Sequence, residues 1–503
     1  MFDGWSPRAA QLLASQHTLQ KMIEVEHSYR SIRAVQQAIE TGTTVKDITQ
    51  AHLNAIKALD EKLNAIVKLN EHALNDAARL DALPKDQRGP LHGVPLVIKD
   101  QIETAGLRTA FGSETCKDFV PSKDATLVQK LKDAGAIVLG KSSMPDFAAS
   151  WFSTSSVSGT TQNPHDLSRD AGGSSSGSGA AVSSGMAVVA IGGDTGGSIR
   201  LPSSFCGLVG VRVTPGRISR DGMSSLVTTQ DTPGPMGKSV EDVARVLDVI
   251  VGFDEKDDFT GVNAISPAGS FLKAISSPSP KGKRLGVLRG AFGSHAGINK
   301  ILDSTLNKLR DSGAELIDVS IPDLDYYKTF TSLYGTRSKT DIDSFLQSRP
   351  ELSHLNVEDI VKNKQYHQAL DLMEAISQGT TDYLRNPHFG KRMTEQQKFQ
   401  RVVASIFAKE RLDAVVYPTC QALAPKTEDV LTRRWSCLDF PTNTVIASQL
   451  LFPAASVPVG MTKDDDGSEG PELPVGLEVL GLPLQEENVL AVSAGVEAVC
   501  ASR

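Results

Sequence analysis

The sequence predicts an α/β fold: one large domain whose central mixed, largely parallel β-sheet is covered by helices on both faces, with a helical layer at its N-terminus. Three observations predict it. Short apolar runs rich in Val and Ile alternate with helical stretches along most of the chain. The 503 residues show no internal repeat that would indicate a solenoid or an array. The most linker-like segment, TKDDDGSEGPELP at 462–474, sits between two strand-like runs, AASVPVG and VGLEVLG, where a surface loop fits better than a domain boundary.

The elements follow in order. Residues 6–80 read as helical, and KDITQAHLNAIKALDEKLNAIVKLN (46–70) repeats apolar residues at three- and four-residue spacing. This stretch, 1–80, forms the N-terminal layer, and 81–503 the α/β/α body. GVPLVIKD (93–100) has the composition of a buried strand. ATLVQKLKDAG (125–135) reads as a helix closed by glycine, and AIVLG (136–140) as the next strand. GAAVSSGM (179–186) reads as helix and AVVAIGG (187–193) as strand. RLGVLRG (284–290) and DAVVYPT (413–419) repeat the strand type, and 325–400 reads as mostly helical. ISSPSPKGKR (275–284) fits either a loop or a boundary.

Composition excludes several functions. The net charge is −7 and the basic runs are short, so nothing makes an electrostatic footprint for nucleic acid. Cys116, Cys206, Cys420, Cys437 and Cys500 are odd in number, scattered and without a Cys-x-x-Cys, which argues against disulfides and a zinc site and for a reducing compartment. No stretch reaches the roughly eighteen apolar residues of a membrane span. The first twenty residues lack the continuous apolar core of a signal peptide. A cytoplasmic protein without metal or cofactor is the expectation.

Two motif matches mislead. GAIVLGKS (135–142) fits the P-loop pattern, but Ala136, Ile137, Val138 and Leu139 are strand material and cannot wrap a phosphate. A helix also precedes the first glycine, where a strand is required. Gly173-Ser174-Ser175-Ser176-Gly177 is a formal Gly-x-Ser-x-Gly, yet TQNPHDLSRDA (161–171) before it is loop chemistry, whereas a hydrolase elbow follows a strand directly.

AVVAIGGDTGGSIRLPSSFCG (187–207) fits better. A strand ends at Gly192-Gly193, Gly196-Gly197 allow a tight turn, and Ser198 precedes a short helical turn, IRLPSSFCG, capped by Gly207. Consecutive N–H groups with no side chains in the way can converge on one oxygen, beside a hydroxyl able to attack. Paired glycines usually mean only an ordinary turn. A serine nucleophile needs a base, and with no histidine nearby the candidate is a lysine kept neutral by burial. Lys99 ends the apolar run GVPLVIK. A strand-end lysine reaching solvent is the ordinary alternative, and Asp100, if it paired with Lys99, would keep it charged.

GGSSSGSGAAVSSG (172–185) followed by GGDTGGSIRLPSSFCGLVG (192–210) resembles the signature of the amidase signature family. GPLHGVPLVIKDQIETAGLRTAFGS (89–113) resembles the family's lysine region, and DATLVQKLKDAGAIVLGKSSMPDFA (124–148) the segment after it. FPAASVPVG (452–460) and LPVGLEVLG (473–481) resemble its C-terminal strands. Ser176 departs from the glycine common there, and GVRVTPGR (210–217) from the usual GLKPTYGR.

The resemblance implies the amidase signature fold, with its core signature at 172–207, and a Ser–cis-Ser–Lys triad. Ser198 is then the nucleophile, Ser174 the bridging serine and Lys99 the base. The amides of Thr195, Gly196, Gly197 and Ser198 would form an oxyanion hole, with Ser175, Asp194 and Arg200 in support. The reaction implied is hydrolysis of a C–N acyl bond, with carbamate, aryl-acylamide or ester cleavage as close alternatives and a small-molecule amide or carbamate as substrate. A glutaminase subunit of a tRNA-dependent amidotransferase is the rival; its arginine-rich stretch is matched poorly, by HFGKRMTEQQ (388–397). Position places FAASWFS (147–153) near the site, with small Ala148, Ala149 and Ser150 as the pocket candidates, Trp151 and Phe152 as packing residues and 325–400 as a cover. A monomer or homodimer is expected.

Overall fold

The computed structural model describes residues 27–465 and 470–501. The helical reading of residues 6–26 lies outside the described residues. Eleven strands form one mixed sheet: β1 (Ile66–Leu69), β2 (Pro95–Lys99), β3 (Ile137–Ser142), β4 (Val189–Asp194), β5 (Val209–Arg212), β6 (Thr232–Gly237), β7 (Arg284–Leu288), β8 (Glu315–Val319), β9 (Ala414–Pro418), β10 (Ala454–Thr462) and β11 (Leu473–Leu480). Their order across the sheet is β1-β3-β2-β4-β6-β5-β10-β11-β9-β7-β8. Parallel pairing joins β3, β2 and β4 on one flank and β9, β7 and β8 on the other. The strands between them run antiparallel, as β1 does on β3.

Alternation along the strands sorts side chains to the two faces. On β2, Leu96 and Ile98 join the largest apolar cluster with Val138, Val189 and Ile191. Val97 points the other way, into a second cluster with Ala180, Ala181 and Ala190. Lys99, two residues after Val97, therefore falls on the side that carries α3 (Ser176–Ser184). A third cluster packs Phe111, Phe147 and Phe152 against Ile342, Phe345 and Met373, fastening the 334–377 helices over one end of the sheet.

The structure revises two local readings. Helix α1 (Val45–Leu63) stops at Asn64, which takes a left-handed φ of 52°, and IVKL leaves as β1. The apolar spacing of a helix continues through Ile66 and Leu69, but Asp60 accepts the amides of Ala65 at 2.7 Å and Ile66 at 3.1 Å. That cap ends the helix, and the edge of β3 supplies the pairing that local periodicity cannot show. The stretch 161–171, read as loop, holds a two-stranded ribbon of Gln162–Asn163 with Asp166–Asp170.

The glycine–serine run is neither a linker nor a loop beyond Ser175. It opens α3, and all nine residues of that helix are buried. A Cβ on Gly177 would lie 2.1 Å from the Ala65 carbonyl oxygen and 2.4 Å from the Ser143 amide. Backbone occupies the space that a side chain would need, so composition here reports close packing. Among the described residues, no helix is long and apolar enough to cross a membrane.

Candidate active site

The site lies where β2 and β4 end beneath the start of α3. Lys99 closes β2 and is fully buried. Its Nζ donates to Ser174 Oγ at 2.7 Å and to the Gly193 carbonyl at 3.2 Å. The peptide joining Gly173 to Ser174 is cis. Burial pulls the Lys99 amine down to about 7, against the opposing charges of Asp194 and Asp231. Asp100 does not pair with it. As neighbours on an extended chain the two side chains leave in opposite directions, and Asp100 accepts the Ala110 amide at 3.0 Å and lies 4.0 Å from Lys141.

Lys141 settles the P-loop match. It lies on β3 with its side chain fully buried, donating to the Ile102 carbonyl and to Thr109 Oγ1, so it has no access to a phosphate.

The turn after β4 carries the second half of the site. Asp194 ends the strand, and α4 (Arg200–Phe205) begins six residues later. The Asp194 carboxylate folds back to accept the amides of Gly197 at 3.0 Å and Ile199 at 3.2 Å. This corrects one expectation: the Gly197 amide is already engaged. Among the described residues, the amides of Thr195, Gly196 and Ser198 have no acceptor. Ser198 is 3% exposed, and its carbonyl accepts the Ser175 amide at 3.1 Å, which ties the two serine-bearing turns together. Ser175 Oγ accepts the Gly193 amide at 3.1 Å and donates to the Gly193 carbonyl at 3.2 Å, so it fastens α3 to β4.

Charges brace this loop from below. Arg200 donates to Asp194 through Nε and Nη2, both at 3.1 Å, and pairs with Glu478. Arg212 donates to Asp194 Oδ1 at 2.9 Å. All four side chains are fully buried, two cations against two anions. Burial works to raise the Asp194 carboxyl, but Arg200 and Arg212 outweigh it and hold the group below its usual range. Glu478, Arg212, Asp231 and Thr444 were not visible as site residues in the sequence, because only the sheet order brings them beside 194–200. Asp231 accepts the Thr195 hydroxyl, and Thr444 Oγ1 donates to the Gly196 carbonyl at 2.8 Å.

Gly197 shows why the loop tolerates no side chain. Its φ is +129°, and an added Cβ would lie 1.9 Å from Thr444 Oγ1. Gly197→Ala is expected to lower kcat/KM by at least about 100-fold, because the forced shift of the turn displaces the neighbouring unengaged amides, each worth the scale of one oxyanion donor, measured by steady-state kinetics on the folded variant.

A cavity of about 350 Å³ opens beside the loop, lined by Trp151, Tyr334, Leu372, Phe440, Thr442 and Val445 among others. The pocket candidates fall elsewhere. Ala148 and Ala149 are buried in the third apolar cluster, and Ser150 Oγ lies 3.3 Å from Cys437 Sγ and accepts the Phe152 amide. Trp151 reaches the cavity, while Phe152 packs edge-on against Phe440. Small side chains suggested open space, but larger neighbours had filled it. Among the described residues, no cluster of His, Cys, Asp and Glu could hold a metal ion.

The family model described as amidase matches residues 47–490. The chain belongs to the amidase signature family. This family member is 32% identical over 481 residues to a glutamyl-tRNA(Gln) amidotransferase subunit of Deinococcus radiodurans, covering 94% of this chain and 98% of that one. It superposes on the native peptide amidase of Stenotrophomonas maltophilia with a TM-score of 0.80 at 30% identity, covering 94% of this chain and 97% of the other. On the glutamyl-tRNA(Gln) amidotransferase subunit of Thermotoga maritima the TM-score is 0.70 at 29% identity, with 90% and 91% covered.

Proposed function

We propose that this amidase-family chain hydrolyses the C–N bond of an amide through an acyl-enzyme on Ser198. One observation carries the reading: a fully buried lysine amine sits 2.7 Å from Ser174 Oγ, next to a serine-bearing turn with three unengaged amides. Neutral Lys99 takes the Ser174 proton, and Ser174 takes the proton of Ser198. Ser198 Oγ then bonds to the substrate carbonyl carbon, and the amides of Thr195, Gly196 and Ser198 hold the oxyanion. The tetrahedral adduct breaks its C–N bond while Lys99, through Ser174, returns the proton to the departing nitrogen. Water enters by the same relay and releases the carboxylic acid. Carbamates present a similar carbonyl to the same steps, and in an ester the C–O bond breaks instead, with the proton returned to the departing oxygen.

A glutaminase role within a larger complex is the second reading, favoured by the name of the Deinococcus relative. Two observations favour an enzyme acting alone. The superposition on the peptide amidase is closer than that on the Thermotoga protein, 0.80 against 0.70. Arg392, within the stretch weighed for glutamine binding, is committed to the Ser332 carbonyl at 2.9 Å. The chain purified alone, assayed on aliphatic amides, anilides, carbamates, esters and glutamine, tests this. Release of ammonia or amine from simple amides is expected. Turnover of glutamine only, and only with added partner chains, would establish the second reading instead.

Asp231 tunes the base in this scheme. Its charge favours the protonated form of Lys99. Asp231→Asn is therefore expected to move the acid limb of the kcat/KM profile to lower pH, while exchanging the charge-assisted Thr195 hydrogen bond for a weaker neutral one and lowering the plateau. The pH–rate profile reads both effects.

A further inference from the structure

We propose that Tyr334 and Trp151 select amides whose acyl group carries an aromatic or similarly bulky uncharged substituent, Tyr334 being the specificity-determining residue. The inference rests on the acyl-enzyme reading above and names the substrate class of that same site.

Both rings stand at the oxyanion loop. The Tyr334 hydroxyl oxygen lies 2.1 Å, and Trp151 Cζ2 3.4 Å, from where a Cβ on Gly196 would be. The rings meet edge to face, with centroids 6.3 Å apart and planes at 82°. Both line the cavity beside the loop, as do Leu372, Phe440 and Val445. A carbonyl oxygen seated on the Thr195, Gly196 and Ser198 amides sits beside these rings, and the proposal turns its acyl substituent toward them, where an aromatic group gains offset or edge contacts. The charged side chains lining the cavity are Lys328, 3.6 Å from Asp325, and exposed Asp439, which accepts from Ser436. Neither is buried enough to bind an ionic headgroup in a dry site.

Tyr334 is held in place by its surroundings. It opens α5 (Tyr334–Gln347), directly after a turn whose Ser332 carbonyl accepts from Arg392 and whose Thr331 hydroxyl donates to Gln449 at 2.8 Å. Among the described residues its own hydroxyl has no hydrogen-bond partner, so it is free to bond a polar atom of the substrate beside the carbonyl.

The test compares kcat/KM for phenylacetamide and acetamide in the wild type, Tyr334→Ala and Tyr334→Phe, with glutamine as a third substrate. The wild type is expected to prefer phenylacetamide by about 100-fold or more, the scale that pocket contacts support. Tyr334→Ala should cut that ratio at least tenfold. Tyr334→Phe should keep the ratio while lowering kcat/KM about two- to tenfold on both amides, the effect of one hydrogen bond. A wild-type ratio near one, a preference for glutamine, or a ratio unmoved by Tyr334→Ala would overturn the proposal. Acetamide turnover lost in Ser198→Ala, with no aryl preference in the wild type, would leave the acyl-enzyme reading standing and remove only this one. No turnover of any amide, with no acylation of Ser198, would remove both.

Discussion

Ser198→Ala is expected to lower kcat/KM on any amide substrate by roughly 10⁴- to 10⁶-fold, the loss typical of removing a serine nucleophile whose partners act as a unit. The same variant should keep its far-UV circular dichroism and melting temperature. Ser198 supports the fold through backbone, by accepting the Ser175 amide with its carbonyl, and alanine preserves that contact. The two measurements together separate a chemical role from a structural one. Near wild-type turnover in a folded Ser198→Ala protein would end the acyl-enzyme reading. In the proposed relay Ser174 and Ser198 act as one unit, so Ser174→Ala combined with Ser198→Ala should cost little more than Ser198→Ala alone.

Lys99 is expected to be nearly as critical, with a loss of roughly 10³- to 10⁵-fold in Lys99→Met on the same nucleophile-base logic. The wild-type profile carries the sharper signature. The mechanism needs a neutral amine, and burial brings Lys99 down to about 7. kcat/KM should therefore fall tenfold per pH unit below that value and level off above it. The stability consequence has a fixed sign. Between about pH 7 and the ordinary lysine range, the unfolded chain binds a proton that the folded chain does not. The contribution of this group to stability thus rises with pH across that window, and below it the full cost of burying the charge remains. Lys99→Met removes the cost, so the inactive variant should melt higher than the wild type at pH 6, by an amount that shrinks toward pH 10. A Lys99→Met protein that stays active, or a wild-type profile flat between pH 5 and 8, would remove lysine from the mechanism.

The strands were legible because burial on both faces demands continuous apolar runs, and those runs are local. GVPLVIK, AIVLG and AVVAIGG each fell on β2, β3 and β4 within one or two residues. The end of α1 was not legible. Its apolar spacing ran on into IVKL, and the edge of β3 that captures this segment lies some seventy residues away. The glycine–serine run was legible as unusual but not as a buried helix, since the groups that exclude its side chains belong to Ala65 and Ser143.

The candidate site divides in the same way. Residue type and spacing along the chain singled out Lys99 and the glycine turn at Ser198, and the resemblance added Ser174. Folding alone decided that Asp100 turns away toward Lys141, that Asp194 takes the Gly197 amide, and that Asp231, Arg212 and Glu478 surround the loop. It also replaced Ala148, Ala149 and Ser150 with Trp151 and Tyr334 as the residues beside the cavity. The sequence by itself determined the buried core strands and the short segments able to carry the chemistry, because propensity, periodicity and backbone freedom act over a few residues. Only the tertiary structure decided the burial that lowers the Lys99 pKa, the amides left unengaged and the shape of the cavity. Those depend on desolvation and on contacts between segments distant along the chain, such as Lys99 with Ser174 and Arg200 with Glu478, which no local pattern encodes.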